Sequence, residues 1–171
     1  MVPSRRLGFD DVAIVAVDGS RVSGLPESAP GVLARSMHQR IDTLTIGTSG
    51  QGLYEFTRQA RVFVASSGVG TGLLTAYVRH TSCSLLIQEN ADNDVKTDLG
   101  GFFRRLVPEG MDWLVHTTEG PDDMPAHIKS ALTQTSIGIP VAEGRPVFGT
   151  WQGIYLSSTA AAHTGAKWCC T

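Results

Sequence analysis

Three stretches of this chain carry polar groups that core packing does not demand. The first is Arg79-His80-Thr81-Ser82-Cys83-Ser84, followed by Gln88-Glu89-Asn90 and Asp92. The second is His116-Thr117-Thr118-Glu119-Gly120-Pro121-Asp122-Asp123, which runs into His127 and Lys129. The third is Gly149-Thr150-Trp151-Gln152-Gly153. Imidazole and carboxylate are the natural ligands of a divalent metal and the natural acids and bases near neutral pH. His80, His116 and His127 fall at the ends of predicted elements, where side chains converge. Asp123 and His127 are four residues apart, so one helix face presents both. The gaps of 36 and 11 residues between the histidines match no local metal signature. Spacing alone therefore leaves other roles open: a hydrogen-bonded core His80, an exposed strand His116, a helix-surface His127. Asp92, Asp94 and Asp98 read first as helix-start charges. Trp151 reads as core or pocket wall, and Gly149 and Gly153 imply close backbone approach to a strand or ligand. Cys83 reads as a small buried filler with only His80 nearby.

These groups need elements to hold them. From Ile41 the text turns regular, with Leu44 and Ile46 alternating with threonines as in a half-buried strand. Gly47 to Gly52 reads as a hairpin turn and Leu53 to Phe56 as the returning strand. Thr57 is expected to cap a helix through Ser67, with Ala60, Val64 and Ser67 on one face, ended by Gly68, Gly70 and Gly72. Leu73–Val78 and Ser84–Gln88 follow as strands. Asn90 or Asp92 caps a second helix with Val95, Leu99, Phe102, Phe103 and Leu106 on one face; Arg104 and Arg105 suit its last turn. Met111 to Thr117 is expected as a strand. Pro125 suits the start of a short helix through Leu132. Ile137–Val141 and Val147–Leu156 are the last expected strands. Paired strands with few helices predict an α+β domain: a mostly antiparallel sheet with covering helices.

The bulk composition narrows the partners. The 171 residues are 42% hydrophobic and 18% charged, with a net charge of −2, which suits one domain with a real core. No basic stripe invites nucleic acid. No run of roughly 18 apolar residues predicts a membrane span. Three cysteines without regular spacing imply a reducing, cytoplasmic setting. Arg5 and Arg6 precede a stretch interrupted by Asp10, Asp11 and Asp18, which is no secretory leader. Residues 1–36, with Pro3, Pro26 and Pro30, read as an atypical and flexible N-terminal extension. Met37 reads as a natural start for the domain spanning residues 37–156.

The motifs together resemble the YjbQ-like family of secondary thiamine-phosphate synthases. His80-Thr81-Ser82-Cys83-Ser84-Leu85-Leu86-Ile87-Gln88-Glu89-Asn90 is similar to the family's His-Thr-Ser/Thr-Ala-x-Leu-x-Ile-x-Glu-Asn segment, with Cys83 in place of the usual alanine. Asp98-Leu99 and Leu106-Val107-Pro108 follow at the family's spacing. Glu119 through Lys129, Gly144-Arg145 and Gly149 through Leu156 complete the resemblance over residues 41–156. It implies a pseudo-barrel fold, assembly as a homotrimer, and a divalent metal at His80, His116 and His127. It also implies catalytic roles for Glu89, Glu119 and His116, and a substrate that is a small phosphorylated metabolite. Arg79 and Lys129 are expected to bind phosphate, Trp151 to stack on a pyrimidine, and Thr81, Ser82, Asn90 and Gln152 to line the substrate. The implied reaction joins a pyrimidine-methyl diphosphate to a thiazole phosphate and releases pyrophosphate. The competing expectations are a non-catalytic trimeric metal- or ligand-binding protein, and an inactive variant.

The last expectation comes from residues 157–171, which lack the family's Glu-His-Arg, its Pro-His-Arg and its apolar final strand. Read one nucleotide earlier, the codons for Ser158 to Thr171 allow Glu-His-Arg-x-x-Pro-His-Arg-x-x-Val-Val-Leu. The tail is therefore expected to be frameshifted, leaving a less stable sheet.

Overall fold

Alternation of buried and half-buried side chains along β1 (Gly8–Asp18) builds the interior of the larger sheet: Val12, Ile14 and Ala16 are fully buried. The computed structural model describes residues 8–18 and 38–159. β1 pairs antiparallel on both sides, with β2 (Gln39–Thr48) and with β4 (Gly72–Val78). Val12 thus lies opposite both Leu44 and Val78. With β6 (Ser136–Ala142) and β7 (Arg145–Pro146) the order is β2-β1-β4-β6-β7. A second sheet is built from β3 (Gly52–Glu55), β5 (Cys83–Glu89) and β8 (Gln152–Ser158), in the order β3-β8-β5. Every strand pair is antiparallel. The strands curl into a half-barrel, with α1 (Thr57–Ser67), α2 (Asn93–Leu106) and α3 (Asp123–Ala131). Phe56, Phe63, Leu74, Leu85, Ile139 and Leu156 join β1 in one core. This is the α+β pseudo-barrel expected. Among the described residues no helix is long and apolar enough to cross a membrane.

The helices follow local chemistry. α1 ends where expected, with Gly68 at φ 80° as a left-handed C-cap that glycine adopts without a Cβ penalty, but its N-cap is Phe56: Thr57, expected as the cap, lies inside the helix and its hydroxyl donates to Glu55. The Asp92 side chain caps α2 by accepting the Asp94 N–H at 2.8 Å. Pro125 sits in the first turn of α3, where its missing N–H costs no helical bond. The apolar face of α2 departs from expectation, because no residue of that helix is buried; Phe102 is 55% and Leu106 53% exposed.

Several strand expectations need correction. Residues 8–18 are an interior strand, not part of a flexible extension; the aspartates around Val12–Val17 hid a period-2 pattern. A start at Met37 would remove that strand. Residues 1–7 and 19–37 lie outside the described set. The Gly47–Gly52 turn joins two sheets instead of closing a hairpin, since β2 pairs with β1 and β3 with β8. Residues 111–117 form turns and coil: among the described residues no strand pairs with them, and Val115 is 96% exposed. The last strand begins at Gln152 because its side chain closes a turn, accepting the Gly149 N–H at 2.8 Å. It also runs on to Ser158, beyond the expected limit at residue 156, because Ser157 and Ser158 pair with Ser84 and Cys83. The expected frameshifted tail from residue 160 onward lies outside the described residues.

One buried hydroxyl lacks a partner. Among the described residues, the Oγ of Ser84, opposite Ser157, finds no hydrogen-bond partner. Ser84→Ala removes an unsatisfied polar atom at nearly constant volume. It should stabilise the fold by about 1 kcal/mol, seen as a higher urea midpoint.

Candidate functional site

The turns between α2 and α3 bring His116 back onto α3. The Leu114 N–H donates to Met111 O at 3.2 Å and the Gly120 N–H to Thr117 O at 3.4 Å. Gly120 takes φ 126°, which a side chain would resist. His116 Nε2 then stands 2.8 Å from Asp123 Oδ2, and His127 Nε2 lies 3.4 Å from the same oxygen. The two rings meet edge to face at 5.7 Å. The Asp123 side chain is only 4% exposed, while the imidazoles remain partly open to solvent. All three ligand atoms fall within 4.8 Å of one another.

The second nitrogen of His127 restricts what this cluster holds. His127 Nδ1 is 3.2 Å from the backbone oxygen of Thr81, which only accepts, so Nδ1 carries the proton. In the neutral ring Nε2 then presents a lone pair to a carboxylate oxygen. A metal ion between Nε2 and Oδ2 would turn that contact into an attractive one. A metal-ligating histidine whose other N–H bonds a backbone carbonyl has this same arrangement. Ligand bonds of about 2.0–2.2 Å would need shifts of roughly 1 Å or less here. Two imidazoles and one carboxylate suit zinc or manganese and leave positions open. His116 faces a cavity of about 340 Å³ lined also by Met111, Asp112, Leu114 and Thr117.

Other expected residues fall in separate places. His80 clusters with Asp10 and Cys83 instead. Its Nδ1 accepts the Ser82 N–H at 3.0 Å, which leaves Nε2 as the donor in the neutral ring. Thr48 donates its hydroxyl to Asp10 at 3.0 Å. Burial, reinforced by the Asp10 charge, pushes the Cys83 thiol up, so it stays protonated. Ser82 is buried and Thr81 exposed at the start of this turn, while Arg79 is exposed. Glu119 is exposed on the loop between His116 and Asp123.

Glu89, Asn90, Trp151 and Gln152 gather at the far end of the small sheet. Glu89 lies opposite Gln152, and the Asn90 N–H donates to Trp151 O at 2.9 Å. Glu55 and Thr57 join them, although their sequence context carried no such signal. The Thr57 hydroxyl donates to Glu55 Oε1 at 2.6 Å and accepts the Ile154 N–H at 3.0 Å; the Asn90 amide donates to the same Glu55 oxygen at 3.3 Å. Gly153 was the available clue, since a Cβ there would lie 2.8 Å from Glu55 Oε1. The seven residues of β5 separate this group from Cys83 by about 20 Å at a strand's rise.

Lys129, two residues beyond His127, is only 3% exposed and lines a different cavity of about 350 Å³. Burial pushes its ammonium pKa down, and Arg104 adds to this while Glu109 and Asp122 oppose it.

Residues 42–163 match the family model described as UPF0047 protein YjbQ-like. The UPF0047 protein sll1880 of Synechocystis sp. is 54% identical over 123 residues, covering 72% of this chain and 84% of that protein. The UPF0047 protein YjbQ of Escherichia coli O157:H7 is 43% identical over 115 residues, 67% of this chain and 83% of its own length. Among solved structures, the conserved hypothetical protein TT1486 from Thermus thermophilus superposes with a TM-score of 0.63 at 32% identity. That match covers 70% of this chain and 90% of the other.

Proposed function

This chain belongs to the YjbQ-like UPF0047 family, and from that premise we propose that it is a cytoplasmic, metal-assisted enzyme of the secondary thiamine-phosphate synthase type. The observation that carries the metal is the shared Asp123 oxygen. It sits between two imidazole Nε2 atoms, and the outer nitrogen of His127 is held on a backbone carbonyl. A divalent ion held there supplies charge neutralisation for a diphosphate leaving group. The remaining work falls to side chains. The nucleophilic nitrogen of the thiazole phosphate forms a bond to the pyrimidine methyl carbon as the carbon–oxygen bond to diphosphate breaks; pyrophosphate leaves with the electron pair. In this reading Trp151, which is largely exposed, stacks on the pyrimidine, and Asn90 and Gln152 fix its edge. Glu89 and Glu119 handle protons, and Arg79 takes a phosphate oxygen.

The separation of roughly 20 Å between the two groups of residues bears on assembly. His127 stands against Thr81 just before β5, while Glu89 ends that strand and pairs with Gln152, so the two groups sit toward opposite ends of β5. In a homotrimer the far end of one copy's small sheet would face the histidines of the next. The outward apolar face of α2, with Phe102 and Leu106, offers area for that contact.

Incubation with pyrimidine-methyl diphosphate, thiazole phosphate and manganese should release pyrophosphate. Glu89→Ala should lose that release by about 100-fold while retaining its metal, as expected for a general acid or base. Retained metal with no turnover in the unaltered chain would reject the transferase reading and leave a metal-binding protein.

A further inference from the structure

The proposed reaction leaves Glu55 without a role. Glu55 is the last residue of β3, exposed, and opposite Tyr155 of β8. An exposed glutamate normally keeps its rotamer freedom, because fixing it costs entropy. Here a chain of donors fixes its carboxylate. The Ile154 N–H donates to the Thr57 hydroxyl at 3.0 Å, and that hydroxyl, with its one proton, donates to Glu55 Oε1 at 2.6 Å. Asn90 Nδ2 donates to the same oxygen at 3.3 Å. Gly153 makes the room for this meeting. A Cβ there would lie 2.8 Å from Glu55 Oε1, 3.0 Å from Thr57 Oγ1 and 3.2 Å from Asn90 Cβ.

An ionised carboxylate only accepts, so it selects one of the two orientations of a neighbouring amide. Glu55 draws the Nδ2 end of Asn90, since the flipped amide would set Oδ1 against the carboxylate oxygen. Asn90 Oδ1 is therefore turned away from Glu55, on a residue that is exposed. The Asn90 N–H, bound to Trp151 O at 2.9 Å, holds the backbone of the same residue beside Trp151. We infer that Glu55 is a positioning residue: it sets the polarity of the Asn90 amide, so that Oδ1 meets the ring stacked on Trp151 as an acceptor. That ring then carries a hydrogen-bond donor, such as an amine, on the edge that faces Asn90. The assignment rests on the proposed function for the pyrimidine at Trp151. The contacts among Glu55, Thr57 and Asn90 stand without it.

Two probes test the polarity: an aminopyrimidine-methyl diphosphate, and the same molecule with a methyl group in place of the amine. Both carry the same diphosphate, so their affinity ratio reports the ring edge alone. Calorimetry on the full chain in manganese buffer, without thiazole phosphate, should show a preference for the amine of about fivefold or more, as one hydrogen bond allows. Glu55→Ala frees the Asn90 amide and should bring that ratio to about one, with metal content unchanged and unfolding still cooperative. Glu55→Gln keeps an acceptor oxygen and should retain most of the preference. A merely structural role for Glu55 would weaken both probes equally and leave the ratio intact. An unaltered chain that binds both probes equally, or neither, or a Glu55→Ala chain that keeps the preference, would overturn the inference. The preference without pyrophosphate release on adding thiazole phosphate would sink only the transferase reading; release without the preference would sink only this inference.

Discussion

A chain begun at Met37 should fail to reach a cooperative native state. The deletion removes β1 from between β2 and β4, and with it Val12, Ile14 and Ala16, all fully buried. Burying a valine or isoleucine side chain contributes about 1.5–3 kcal/mol, and a domain's total stability is about 5–15 kcal/mol. The strand loss also leaves two unpaired edges where none existed, an invitation to aggregation. Thermal unfolding by circular dichroism should show no sharp transition for the shortened chain, and its proton spectrum should lose dispersed methyl signals. A sharp transition at the full-length midpoint would show that residues 8–18 contribute nothing to the fold. Such an outcome would restore the reading of those residues as an appendage.

Asp123→Asn should cost about 100-fold or more in metal affinity with little change in the fold. The substitution keeps the shape of a buried side chain and removes the charge shared by His116 and His127. Loss of an outer-shell partner alone costs about 10–100-fold in metal affinity or activity, and Asp123 is proposed as a direct ligand. Metal-dependent pyrophosphate release should fall in parallel, and excess manganese should restore part of it. Affinity and turnover equal to those of the unaltered chain would remove Asp123 from the site.

What was legible in the sequence follows from where the deciding interactions lie. The buried face of α1 and its end at Gly68 were readable because both are local signals, whereas its N-cap fell on Phe56 and not on Thr57. The i, i+4 relation of Asp123 and His127 was readable for the same reason, and the structure uses it. The family motifs, being long and in order, pointed to the fold. The role of Asp123 as the third group beside His116 and His127 was not readable. It depends on a loop at residues 111–122 whose apolar residues suggested a strand, yet which turns back onto α3. The separate place of His80 depends on Asp10, whose strand looked like an interrupted apolar run. The gathering of Glu55 and Thr57 with Asn90 needs strand pairing between residues about 100 apart, as in Glu55 opposite Tyr155, and no local pattern encodes that.

We propose that His116, Asp123 and His127 hold one divalent ion. Elemental analysis of the purified chain beside a His116→Ala variant tests it most directly. About one ion per chain should be found, and lost in the variant, as expected for a site with three protein ligands. No bound metal in the unaltered chain, even after soaking with zinc and manganese, would contradict it.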